Sequence, residues 1–161
     1  MYFWYKLLTY LFYPFAPFFL FLRKLKKKEL PIRYKEKLSQ INISRGEGFL
    51  IWFHVASVGE AMSILPLIEN LEQEQKIKKI LITTITLSSA EIIKKKFSLN
   101  QKIVHQFLPL DIPKYVYIFL KHWSPNLSIF IDSEIWPNLI LEIKKKNIPL
   151  FLINGRITRK S

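Results

Sequence analysis

The chain has 161 residues, half of them hydrophobic, which is enough for one domain with a sizeable core. It has no cysteine, so a disulfide framework and a thiolate zinc site are excluded. A formal net charge of +13 points to acidic partners: nucleic acid, anionic lipid or a phosphorylated small molecule.

The first 22 residues are the most apolar part of the chain, broken by Lys6, Pro14 and Pro17. Their length approaches the roughly 20 residues that cross a bilayer's hydrocarbon. The cations Arg23, Lys24, Lys26, Lys27 and Lys28 follow at once. An apolar segment with a polybasic flank reads as a membrane anchor facing anionic lipid. The prolines leave open whether it spans the bilayer or lies on it. A cleavable signal peptide fits worse, because no basic region precedes the apolar part and bulky residues occupy the place of a cleavage site. The alternative is a helical hairpin buried in a soluble fold. Residues 23–47 read as a basic juxtamembrane linker, and residues 48–161 as the globular domain.

In that domain, apolar runs alternate with helical patterns. Strands are predicted at Phe49 to Phe53, Lys79 to Thr83, Ile103 to Phe107, Leu127 to Ile131 and Leu150 to Ile153. Helices are predicted at Ala61 to Leu71, Ala90 to Phe97, Pro113 to Trp123 and Pro137 to Lys146. Such alternation implies right-handed crossovers and an α/β fold, a parallel sheet with helices on both faces. The cationic runs Lys94 to Lys96 and Lys144 to Lys146 close helices, where positive charge suits the macrodipole.

The polar residues gather after strands. Ser57 and Glu60 follow the first, Thr83 and Thr84 close the second, Asp111 follows the third, Ser133 and Glu134 the fourth, and Asn154 and Arg156 the fifth. Carboxyl ends of strands form the ligand-binding edge of open α/β sheets. Glu60 at a helix start either satisfies the helix dipole or removes a proton from a hydroxyl. Ser57 either bonds that carboxylate or caps the helix, and Gly59 lets the backbone turn tightly. Asn154 and Arg156 read as ligands for a phosphorylated or carboxylated sugar, or as an ordinary surface turn. A hydrolase using two carboxylates, Glu60 and Glu134, is the competing chemistry. His54, His105 and His122 lack metal-ligand spacing, so no metal site is expected. Neither glycine-rich nucleotide fingerprint is present.

His54-Val55-Ala56-Ser57-Val58-Gly59-Glu60, Pro109-Leu110-Asp111, Ser133-Glu134-Ile135-Trp136-Pro137-Asn138 and Asn154-Gly155-Arg156, taken in that order, resemble the amino-terminal half of the lipid A Kdo (3-deoxy-D-manno-octulosonic acid) transferases. The resemblance implies a Rossmann-like domain, the acceptor half of a GT-B glycosyltransferase. It implies transfer of Kdo from CMP-Kdo to a lipid A precursor at the cytoplasmic side of the inner membrane, with no cofactor and no metal in catalysis. Glu60 takes the place of the general base, Ser57 and Gly59 shape its surroundings, and Glu134 orients the acceptor or is structural. The segment Arg33-Tyr34-Lys35-Glu36-Lys37-Leu38 resembles the basic stretch that meets lipid or acceptor phosphates. The donor-binding domain of the family has no counterpart in these residues, so the chain is expected to be inactive alone and to need a separate carboxyl-terminal domain, as a fragment, a split gene product or a degenerate copy would. A membrane-tethered glycolipid-binding module is the alternative. A nucleic-acid-binding role is disfavoured, since the aromatics cluster in the apolar amino terminus and do not alternate with cations.

Overall fold

A computed structural model describes residues 2–131 and 135–153. The amino-terminal segment is helical from Tyr2 to Leu25: helix α1 (Tyr2–Phe12), a 3-10 turn (Tyr13–Phe15) and helix α2 (Ala16–Leu25). Pro14 and Pro17 enter at the first positions of the 3-10 turn and of α2, where a missing N–H costs little. Arg23 and Lys24 lie in the last turn, complementing the negative end of the dipole. By length and composition this stretch can cross a membrane. Only Ala16 and Leu20 are buried within it, and Phe3 is 68% exposed, so the buried-hairpin alternative fails.

The domain behind it is a five-stranded, all-parallel sheet in the order β3-β2-β1-β4-β5. Its strands are β1 (Phe49–His54), β2 (Ile77–Thr84), β3 (Ile103–Phe107), β4 (Leu127–Ile131) and β5 (Leu150–Ile153). Helices α3 (Val58–Gln73) and α4 (Leu87–Phe97) connect the first three strands; α5 (Pro113–Trp123) and α6 (Pro137–Lys145) connect the rest. Alternate residues of β1 serve opposite layers. Ile51 and Phe53 join Ile64, Ile68 and Ile93 of α3 and α4, whereas Leu50 and Trp52 join Phe119, Trp123 and Leu139 of α5 and α6. Burial on both faces explains why the strands read as unbroken apolar runs. At the far edge the pattern lapses: all four residues of β5 are exposed, because no described element covers them.

The basic linker is part of the domain. Its 3-10 segment Arg33–Leu38 lies along the edge strand β3. Glu36 accepts from the Phe107 N–H at 2.8 Å, and Arg33 donates to the His105 carbonyl at 3.0 Å. Two outward backbone groups of an edge strand are thereby satisfied. Arg33 and Lys37 therefore point inward and do not offer themselves to lipid phosphates, while Lys35 stays exposed. Lys37 donates to Glu29 and to the Ile85 carbonyl. Arg23 also departs from a purely membrane-facing role, since its Nε reaches Glu29 at 2.8 Å. Lys26, Lys27 and Lys28 are exposed.

Candidate active site

Strand order reverses beside β1: β2 and β3 lie on one side, β4 and β5 on the other. His54, the last residue of β1, is registered with Phe130 of β4. A sheet that winds outward from such a switch point leaves a crevice at its carboxyl edge. The segment leaving β1 into that crevice carries Ser57, Gly59 and Glu60.

Ser57 is the N-cap of α3, with extended backbone angles (φ −108°, ψ 165°). Its Oγ accepts from the Glu60 N–H at 3.2 Å and donates to Glu60 Oε1 at 2.7 Å. Glu60 Oε2 accepts from the Ala56 N–H at 2.7 Å. This reciprocal arrangement is a variant of the capping box, in which the carboxylate reaches the N–H one residue before the cap, and it explains why α3 starts three residues before the apolar periodicity does. Both roles foreseen for Ser57 are filled at once. Glu60 is half-buried, held by two donors at the positive end of a helix, and each oxygen still has a lone pair for a further proton donor.

Gly59 acts differently from the expectation. It lies in the first helical turn and outside the positive-φ region, so no tight turn depends on it. A Cβ added there would meet nothing within 4 Å. What the glycine provides is bare surface beside the carboxylate. Gly59→Ala is expected to hold or raise the unfolding midpoint, since Ala is better than Gly in a helix by up to about 1 kcal/mol, while raising KM for any acceptor that lies on this surface. An unchanged KM in the reconstituted enzyme would show that nothing approaches there.

Other strand-end polar residues turn inward. Thr83 accepts from Trp52 Nε1 at 2.9 Å and lies 2.9 Å from His54 Nδ1. Thr84 bonds His105 Nε2 at 2.9 Å. Asp111 caps α6 from a distance, accepting from the N–H groups of Asn138 and Leu139 at 3.0 and 2.9 Å and from the Tyr5 hydroxyl at 2.8 Å. Burial raises its pKa and these donors pull it back down. Ser133, Glu134, Asn154 and Arg156 lie outside the described residues, as does Asp132.

Two histidines are fixed in the neutral form. Burial lowers His54 to about 4; burial, reinforced by the Arg33 guanidinium, lowers His105 to about 3. Arg33 donates to His105 Nδ1 at 2.7 Å, which leaves Nε2–H to donate to Thr84. Unfolded histidines titrate near 6.5, so below that pH the unfolded chain binds protons that the folded one refuses, and stability falls with pH. The urea midpoint is expected to be flat above pH 7 and to drop steadily from about pH 6.5 toward pH 4, with a shallower slope in His105→Gln. A midpoint unchanged from pH 7 to pH 4.5 would contradict this burial.

Sequence reasoning missed Glu29, a lone acid after five nearby cations, whose side chain is fully buried between Lys37 and Arg23. A single carboxylate in a polybasic run was the available signal.

A doubly wound parallel sheet with a positioned carboxylate beside its switch point is the architecture of an open α/β enzyme domain that receives its ligand at the carboxyl edge. Residues 28–161 match the family described as 3-deoxy-D-manno-octulosonic-acid transferase (kdotransferase), and the chain belongs to that family. It is 40% identical over 157 residues to the 3-deoxy-D-manno-octulosonic acid transferase of Rickettsia bellii, covering 98% of this chain and 37% of that protein. It is 38% identical over 157 residues to the probable mitochondrial 3-deoxy-D-manno-octulosonic acid transferase of Arabidopsis thaliana, covering 98% and 35%. With the Haemophilus influenzae transferase it shares 36% identity over 111 residues, 69% of this chain and 26% of the relative. The chain thus spans little more than a third of the first relatives it matches.

Proposed function

We propose that this chain forms the acceptor-binding half of a Kdo transferase and that Glu60 is its general base. A hydroxyl of a lipid A precursor attacks the anomeric carbon of Kdo in CMP-Kdo. The new C–O bond forms as the bond to the phosphate oxygen breaks, CMP departs, and the hydroxyl proton passes to Glu60. The observation that carries this reading is the Glu60 carboxylate, oriented by the Ala56 N–H and the Ser57 hydroxyl beside a glycine that leaves its approach open. A base within hydrogen-bond reach of the attacking hydroxyl contributes about 10² to 10⁴-fold to such a step.

The exposed apolar amino-terminal helix supports contact with a membrane; in this reading that is the inner membrane, with the site on the cytoplasmic side next to an acceptor whose acyl chains stay in the bilayer. The exposed Lys26, Lys27 and Lys28 fit a surface of anionic lipid. The donor site belongs in this reading to a further domain, as the share of each relative left uncovered allows. The test is Kdo transfer from CMP-Kdo to a tetraacylated lipid A precursor, in membranes holding this chain with and without the carboxyl-terminal portion of a relative. Transfer only with both supports an acceptor half. Binding of the precursor without transfer in any combination would support a tethered glycolipid-binding module in its place.

A further inference from the structure

A cavity of about 200 Å³ opens at the carboxyl edge of the sheet, between α2 and the loops that follow β2 and β3. Phe19 and Leu20 of α2 form one wall; Leu108, Pro109 and Leu110 form the other; Trp136 closes it ahead of α6. The remaining lining includes Arg23, Glu29 and Lys37; Glu29 and Lys37 are spent on one another and on the Arg23 Nε, which leaves only the terminal nitrogens of Arg23 without an acceptor among the described residues. Glu29 takes Lys37 Nζ at 2.7 Å and Arg23 Nε at 2.8 Å, and Lys37 also donates to the Ile85 carbonyl at 3.1 Å. Toward a guest the cavity is therefore largely apolar, with the outer Arg23 nitrogens and the buried Trp136 Nε1, unpartnered among the described residues, as the polar groups left over. A sugar or phosphate entering it would exchange many hydrogen bonds to water for few. An apolar group suffers no such loss, and a cavity of about 150 Å³ lined by aliphatic and aromatic side chains is known to stay dry and admit a hydrocarbon ring.

Two further features say which apolar group. Phe19 is 42% exposed and lies on the same helical stretch, Tyr2–Leu25, as the uncovered Phe12, Phe15 and Phe18, so the cavity wall continues into the surface that the proposed function puts in the bilayer. Arg23, 38% exposed along its side chain, has only its Nε engaged by Glu29; among the described residues nothing accepts from its terminal nitrogens. An aliphatic chain arriving from the hydrocarbon layer, with an anionic headgroup behind it, meets both.

We propose that this cavity is a subsite for a fatty-acyl chain of the phosphorylated glycolipid acceptor, with Arg23 beside the anionic headgroup at its mouth. The proposal rests on the glycolipid reading above but not on catalysis by Glu60. Seating one chain between α2 and the sheet edge ties the acceptor to the element that carries the site. It also makes chain length and branching matter to an enzyme whose chemistry takes place on sugar.

The test uses the full chain in phosphatidylcholine vesicles with a phosphorylated, acylated glucosamine disaccharide carrying a photoactivatable diazirine near one acyl terminus. A second arm uses phosphatidylglycerol with the same label. After irradiation, labelled residues are mapped by mass spectrometry. The expected result is labelling at Leu20 and Leu108 to Leu110, at least severalfold stronger with the glycolipid, and reduced severalfold by Leu110→Trp, which fills the space. Should that variant fold poorly, the same glycolipid with a brominated chain serves on Trp4→Phe protein, where it should quench emission that a further Trp136→Phe change removes. Labelling confined to the exposed residues 3–12, or equal labelling by both lipids, would overturn the subsite. The two readings separate cleanly: cavity labelling without transfer in the complemented system removes catalysis and keeps the subsite, whereas transfer without cavity labelling does the reverse.

Discussion

Glu60→Gln is expected to lower kcat of the reconstituted transferase by about 10² to 10⁴-fold with little change in KM for the acceptor and little change in fold. Gln keeps the shape of the side chain, and its amide oxygen can still accept from the Ala56 N–H, the bond that now measures 2.7 Å to Glu60 Oε2. What it loses is the negative charge at the start of α3 and the ability to take a proton. The first loss costs stability of about 0.3 to 1 kcal/mol, readable as a small fall in urea midpoint. The second removes the chemistry. Ser57→Ala separates orientation from proton transfer. It removes the hydroxyl that donates to Oε1 and caps the helix, so it should cost about 1 kcal/mol of stability and a smaller part of kcat, with the carboxylate still present. Full activity in Glu60→Gln would end the general-base assignment and leave the carboxylate as a helix cap.

Lys37→Met is expected to be the most damaging single change outside the site. The Glu29 carboxylate has no solvent contact and is shared between Lys37 and the partly exposed Arg23. Removing one partner of a buried ion pair costs about 3 to 5 kcal/mol, chiefly because a charge is left buried and uncompensated. Urea unfolding should show that loss, and trypsin should cut faster between Arg23 and Lys28, where the segment is no longer drawn against the sheet edge. Glu29→Met combined with Lys37→Met should recover much of the stability, since apolar groups of similar size replace the pair. A single mutant as stable as the parent would show that Arg23 alone satisfies Glu29.

Most of the sheet could be read from the chain. The strands at 103–107, 127–131 and 150–153 and the helix at 113–123 fall where their apolar runs place them, since Pro, Asn and Gly punctuate their ends. Helices α3 and α4 begin three residues earlier than their apolar spacing indicated. Their first turns are held by Ser57 and Thr86 caps and add no apolar residue to the core before Ala61 and Ala90. The Ser57–Glu60 pair was legible because a capping box is local. Asp111 was read as a site residue because its partners are remote: Asn138 is 27 positions away and Tyr5 is 106. The inward turn of Arg33 and Lys37 was hidden for the same reason. A polybasic composition shows charge, and only the folded chain shows which of those charges already have a partner.

The amino-terminal helix is fastened to the domain at more than its hinge. Tyr5 reaches Asp111, and Tyr2 and Thr9 both bond Asn138, while Ala16 and Leu20 insert against Leu38, Ile112 and Tyr115. A helix held along its length works as a bracket and not as a leash. Under the proposed function that bracket would set Glu60 at one fixed altitude over the lipid surface, and which hydroxyl of a headgroup meets it would be a matter of measured height. Lengthening or loosening the bracket should change the product before it changes the rate.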